Sequence, residues 1–102
     1  MNNKSFRTLN LAKEFYKECK SLKLSGTEKD QFDRALLSIL LNLSEGSAKP
    51  TAKDRRKFYS ISMGSLREIQ TLLDLENYTK EFNKSDKLAA FIYRLIQNPG
   101  GS

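Results

Sequence analysis

Histidine is absent from this chain, which removes the commonest general base and the commonest nitrogen ligand for a metal ion. Cysteine occurs once, as Cys19, so no intramolecular disulfide can staple the fold, and a reducing compartment is the natural setting. Tryptophan is missing and proline appears only twice. The glycines have neither the spacing nor the context of a phosphate-cradling loop. No apolar run approaches the roughly 18–20 residues that span a bilayer. The first sixteen positions, MNNKSFRTLNLAKEFY, show no apolar signal region with a small-residue cleavage site. The expectation is a cytoplasmic protein with no membrane segment, no metal and no cofactor. Strand-period alternation also fails to persist beyond a few residues.

What remains is a folded, helical and basic chain. Its 102 residues suit one domain, with 38% hydrophobic and 29% charged residues. Lys and Arg number 18 against 12 Asp and Glu, a formal charge of +6 that favours polyanionic partners, nucleic acid first.

Apolar spacing predicts four helices, at about 5–22, 28–44, 52–76 and 80–97. In the first, Leu9, Ala12, Phe15, Tyr16, Cys19 and Leu22 share one side, with Lys13, Lys17 and Lys20 as a stripe beside it. Ser25-Gly26 breaks the pattern, and Thr27 with Asp30 reads as a capping box. The second helix buries Phe32, Ala35, Leu36, Ile39, Leu40 and Leu43. Leu37 and Leu41 fall one turn apart on the opposite side, where a small monomeric bundle keeps its helices polar. They are expected to pack against other copies of the chain. Gly46 is placed to close this helix in the left-handed conformation, and Pro50 cannot comfortably continue it.

Thr51 is the expected cap of the third helix, with Phe58, Ile61, Ser62, Ser65, Ile69, Leu72 and Leu73 as its inner face. Gly64 inside that helix costs about 1 kcal/mol against Ala, which predicts a tight helix crossing there. Asn77-Tyr78 turns the chain and Thr79 caps the fourth helix, whose apolar residues are Leu88, Phe91, Ile92, Leu95 and Ile96. Short connections between long helices imply antiparallel neighbours. The predicted fold is all-α, an antiparallel up-down-up-down four-helix bundle in a single domain over 1–98, with 99–102 as a flexible tail.

The charged residues offer a binding surface and no catalytic group. Lys49, Lys53, Arg55, Arg56 and Lys57 cluster at the start of the third helix, against its dipole. Arg56, Ser60 and Arg67 share an outward side with Lys53 at the edge. With Lys13, Lys17 and Lys20 they would form a belt around an oligomer and contact phosphates without reading bases. Glu45 sits in the last turn of the second helix, where the dipole disfavours it, so a partner is expected: Arg55, Arg56 or a base on a neighbouring chain. Asn42 is expected to satisfy backbone at that helix end. Cys19 reads as a buried, inert thiol. Glu14, Glu18 and Glu68 read as ordinary surface ion pairs. Tyr59, Tyr78 and Phe6 could stack on bases, with core or interface packing favoured for each.

Three short runs carry a family resemblance. Ser38-Ile39, Asn42-Leu43-Ser44-Glu45-Gly46 and Gly64-Ser65-Leu66-Arg67-Glu68 resemble, position by position, the signature of the four-helix-bundle family encoded in 23S rRNA intervening sequences. Leu11-Ala12 with Phe15-Tyr16, and Ile92-Tyr93-Arg94-Leu95, are similar too. The chain departs from that pattern at Lys23-Leu24-Ser25-Gly26, where the family carries Leu-Pro, and at Gly46-Ser47-Ala48-Lys49, where it carries a Gly-x-Gly-Arg-like loop. The resemblance implies assembly into a homopentameric barrel. It also implies kinship with the accessory variability determinant of diversity-generating retroelements, a basic pentamer that binds nucleic acid and a reverse transcriptase. The function expected from residues and resemblance together is non-enzymatic: an oligomeric accessory protein that binds RNA or DNA through phosphates, with a reverse transcriptase and its template RNA as partners. The alternative is a structural module that docks on protein and has no direct role with nucleic acid.

Overall fold

Apolar residues at helical spacing organise the chain into four helices in a computed structural model that describes residues 3–100. They are α1 (Asn3–Lys20), α2 (Gly26–Ser47), α3 (Ala52–Leu75) and α4 (Thr79–Gln97). Among the described residues each helix packs backbone to backbone against two others, α1 on α2, α2 on α3, α3 on α4 and α4 on α1, while the diagonal pairs face each other only through the core. The result is a four-cornered bundle about 43 Å long. Phe32, Leu36, Ile39 and Leu43 meet Tyr59, Leu66, Ile69, Leu73, Leu88, Ile92 and Leu95 in its centre, with Ala12, Phe15 and Cys19 closing the core from α1. Among the described residues no helix is long and apolar enough to cross a membrane.

The helix starts depart from expectation in two places. α2 begins at Gly26 with Ser25 as its extended N-cap (φ −71°, ψ 157°), not at Thr27. The Ser25 carbonyl accepts the Lys29 amide at 2.7 Å and its hydroxyl donates to Glu28 Oε1 at 2.9 Å, so the first turn closes two residues early. α4 begins one residue after Tyr78, whose carbonyl accepts the Phe82 amide at 2.9 Å, which makes Thr79 its first residue and not its cap. The preceding turn depends on Asn77, left-handed at φ 62°, a region Asn tolerates better than most residues. Thr51 does cap α3, accepting the Asp54 amide at 3.2 Å.

Gly46 and Gly64 overturn two further expectations. α2 runs through Gly46 to Ser47 and ends on Ala48, so Gly46 does not take the left-handed conformation. It is needed for proximity: a Cβ there would sit 2.9 Å and 3.0 Å from the Tyr59 ring and 3.1 Å from Phe58 Cβ. The tight crossing expected at Gly64 is therefore at Gly46. Gly64 is exposed, and a Cβ on it would meet nothing within 4 Å in its own chain.

The inner face of α3 is also rotated from the expected one. Tyr59, Ser62, Ser65, Leu66, Ile69, Gln70 and Leu73 are buried, and Ile61 lies outside. Small polar residues can occupy that face because each finds a partner. Ser62 Oγ donates to the Ile39 carbonyl at 3.0 Å, Ser65 and Ser38 share a hydroxyl hydrogen bond of 2.7 Å, and Gln70 Nε2 donates to Ser85 Oγ at 2.9 Å.

Candidate interaction surfaces

On α2 the core stripe leaves Leu37 and Leu41 pointing away from the bundle, 45% and 58% exposed. Ile61 of α3 is 44% exposed. α2 and α3 meet at Ser38 with Ser65, Ile39 with Ser62 and Gly46 with Tyr59, which sets Ile61 level with Asn42 and close along the axis to Leu41. Gly64 adjoins Ile61 on the same flank by helical spacing. Single exposed apolar residues are ordinary on a protein surface; Leu37 and Leu41 on the outer side of α2 and Ile61 across the seam, beside a helical glycine with open space over it, make up the apolar strip of this flank. Ile61 is the member that sequence reasoning missed. Its hydrophobicity assigned it to the core beside Ser62 and Ser65, and nothing local showed that the buried face would turn toward Tyr59, Leu66 and Gln70 and leave it outside.

The floor of the seam is polar. Asn42 Nδ2 donates to the Ser38 carbonyl at 2.9 Å and to Ser38 Oγ at 3.1 Å, one turn back along α2 and not at the helix end as expected. Gln31, Arg34, Ala35, Ser38, Ser65 and Glu68 surround a recess of about 350 Å³ there. Glu45 pairs with Lys49, at 3.2 Å, and with neither Arg55 nor Arg56. That pair is largely solvated and is worth about 0–1 kcal/mol.

The expected basic belt is divided by the fold. Lys13, Lys17 and Lys20 lie on α1, at the corner diagonal to α3. Lys13 and Lys17 are exposed, and Lys20 donates to Tyr16 Oη at 2.8 Å with its ammonium 5.1 Å from that ring's centre. The hydroxyl contact raises the Lys20 pKa above its ordinary value. On α3, Arg56 donates to the Ile96 carbonyl at 2.9 Å, and Arg67 donates at 2.6 Å to Oε1 of Gln70, whose amide reaches Ser85 and Asp86 of α4; both arginines thus lie toward the α4 flank, and Lys53 is exposed one turn before Arg56. Two cationic stripes thus bracket the apolar strip.

Arg55 departs from its expected role. Its guanidinium donates to the Pro99 carbonyl at 2.9 Å, to the Lys49 carbonyl at 2.8 Å and to the Gly100 carbonyl. It ties the α2–α3 loop to the end of α4, and a phosphate would have to displace those bonds. Of the residues read as a tail, Pro99 and Gly100 are held by this side chain, and 101–102 lie outside the described residues. Tyr59 is fully buried and closed to a base, and Tyr78 is half-buried with its hydroxyl donating to the Lys23 carbonyl at 2.7 Å.

Cys19 has no exposed surface. Burial pushes its thiol up to about 12, with the nearby Glu81 and Glu18 carboxylates adding to the shift. Aromatic disulfide reagents at pH 8 should leave the native thiol unlabelled and react with it fully in denaturant; native labelling would contradict the burial. The thiol ionises in the unfolded chain near 9 and in the folded chain only near 12, so stability should fall as pH rises across that interval.

Over residues 3–95 the chain matches the family described as 23S rRNA-intervening sequence protein. No curated protein matches it, and no solved structure does.

Proposed function

We propose that this chain, which belongs to the 23S rRNA-intervening sequence protein family, is a non-enzymatic, self-assembling RNA-binding module. In this reading it is an antiparallel up-down-up-down bundle whose copies pack through Leu37, Leu41 and Ile61 into a ring. The opposed register of the α2–α3 contacts supports the antiparallel order, and the resemblance of residues 35–68 to the pentameric barrels supports a ring of five. The observation that carries the assembly is the strip itself. Burying a whole Leu or Ile side chain contributes about 1.5–3 kcal/mol, and these three retain roughly half of that gain for a partner surface. Gly64 supplies the second argument. Its helix-propensity cost of about 1 kcal/mol has no return inside the chain, whereas a neighbouring helix could approach closely over it.

A ring repeats the stripes of Lys13, Lys17 and Lys20 and of Lys53, Arg56 and Arg67, with Lys49 at the loop. Weak phosphate contacts then add through effective concentration. No group in either stripe reads bases, so RNA and DNA of unrelated sequence should bind alike. On the retroelement side of the resemblance the partners are a reverse transcriptase and its template RNA; on the intervening-sequence side the partner is ribosomal RNA. A second reading, docking on protein with the charge incidental, is favoured by the intramolecular hydrogen bonds that Arg56 and Arg67 already make.

Fluorescence anisotropy separates the two. Unrelated RNA and DNA oligomers should bind with micromolar affinity that collapses between about 50 and 200 mM salt, the signature of released counterions. Lys13→Glu with Lys17→Glu, and Arg56→Glu with Arg67→Glu, should each abolish the signal and leave the particle mass unchanged. Absence of binding at low salt would remove the nucleic-acid function and leave protein docking.

A further inference from the structure

The seam between α1 and α4 gathers cations that are far apart in the chain. Lys4, Arg7, Thr8, Phe91, Arg94 and Leu95 enclose a pocket of about 120 Å³ near the start of α1. Three of these residues are cations and none is an acid. Among the described residues, the side chains of Lys4 and Arg7 make no ion pair or hydrogen bond. The Arg94 guanidinium lies 5.1 Å from the centre of the Phe91 ring, and among the described residues it makes no ion pair. Thr8 is fully buried and donates back to the Lys4 carbonyl at 2.8 Å, so the pocket offers positive charge with no competing neutral donor. Three like charges around one concavity repel each other until an anion enters.

The same seam limits how much anion it accepts. Further along, Glu14 and Glu18 join its lining, with Lys84 held on Glu18 at 2.6 Å. Lys84 and Lys87 balance those two carboxylates, so the excess positive charge of the seam is confined to the pocket of Lys4, Arg7 and Arg94, which fits one phosphate and not a track of them. Three cations match a phosphate monoester, which carries about −1.5 to −2 at pH 7, better than the single charge of a backbone diester. Arginine forks bind such an oxygen set with directed hydrogen bonds. The Phe91–Arg94 stack beside the pocket presents a planar surface to an unpaired base.

We propose that this pocket seats the terminal phosphate of a single-stranded nucleic acid, held by Lys4, Arg7 and Arg94, with the terminal base against Phe91 and Arg94. The site shares its ligand class with the proposed function and none of its residues. Isothermal titration calorimetry of the full chain tests it with unlabelled pentanucleotides of one sequence bearing a 5′-phosphate, a 3′-phosphate or neither. A phosphorylated end should bind at least tenfold more tightly than the hydroxyl-ended control. Arg7→Gln and Arg94→Gln, both at exposed positions, should each erase that difference without altering helical content, while Lys80→Gln, exposed and outside both stripes, should preserve it. The preference should weaken as pH falls through about 6, where the monoester loses its second charge. Equal affinity for all three oligomers, no binding by any, or a preference that survives the double Arg substitution would overturn the proposal. Tighter binding of a pentaglutamate peptide than of the phosphorylated oligomers would overturn it as well.

Discussion

Leu37→Glu combined with Leu41→Glu should reduce the assembled particle to single chains of 11.7 kDa without unfolding them. Both side chains are about half exposed in the isolated bundle, and Glu is a good helix former, so neither the core nor the helix resists the change. Against a sister subunit the balance reverses. A carboxylate buried without a partner costs several kcal/mol, and every interface in a closed ring would carry two. Light scattering should report the loss of mass while far-ultraviolet circular dichroism stays constant. RNA affinity should fall in parallel, by tenfold or more, because the repeated cationic stripes no longer act together. An unchanged mass would show that this strip is not where copies meet.

Gly46→Ala and Gly64→Ala should act in opposite directions although both replace a glycine inside a helix. At Gly46 the new methyl enters within 2.9–3.1 Å of Tyr59 and Phe58, and the Tyr59 ring is fully buried and cannot swing away. Overpacking of this kind costs about 1–3 kcal/mol, partly offset by the helical preference for Ala of about 1 kcal/mol. The melting temperature should drop by roughly 4–8 °C for each net kcal/mol. At Gly64 no atom of the chain opposes the methyl, so the isolated bundle should gain up to about 1 kcal/mol. The same methyl should weaken assembly by keeping the neighbouring helix away. Paired thermal melts and mass measurements separate these effects. Gly64→Ala that leaves assembly intact would remove the glycine from the interface.

These two glycines also mark where sequence reasoning reaches its limit. The four helices were legible because Ala12, Phe15, Leu36, Ile39, Leu43, Leu73, Leu88 and Leu95 keep a clear 3.6-residue period, and the core formed from them is the one observed. The outward position of Leu37 and Leu41 was legible for the same reason. Periodicity could not say which glycine meets a neighbour, because that depends on the register between α2 and α3, set by Ser38 with Ser65 and Ser62 with the Ile39 carbonyl. The rotation of α3 was hidden by the same bonds. The spacing put Ile61 inside together with Ser62 and Ser65; the fold keeps both serines buried because their hydroxyls are satisfied, brings in Tyr59, Leu66 and Gln70, and leaves Ile61 outside. Charge clusters suffered similarly. Arg55 stands in a basic run, yet its partners Pro99 and Gly100 lie at the far end of the chain. The α1–α4 pocket draws Lys4 and Arg7 from one terminus and Arg94 from the other, so no local pattern announces it.

Native mass in solution tests the central idea most directly: the leucines at 37 and 41 are covered by sister copies of the chain. Sedimentation equilibrium or light scattering of the unaltered protein at micromolar concentration should give a multiple of 11.7 kDa, fivefold for the proposed ring. A species that stays at 11.7 kDa across that range would contradict the assembly, and with it the multivalent binding of RNA.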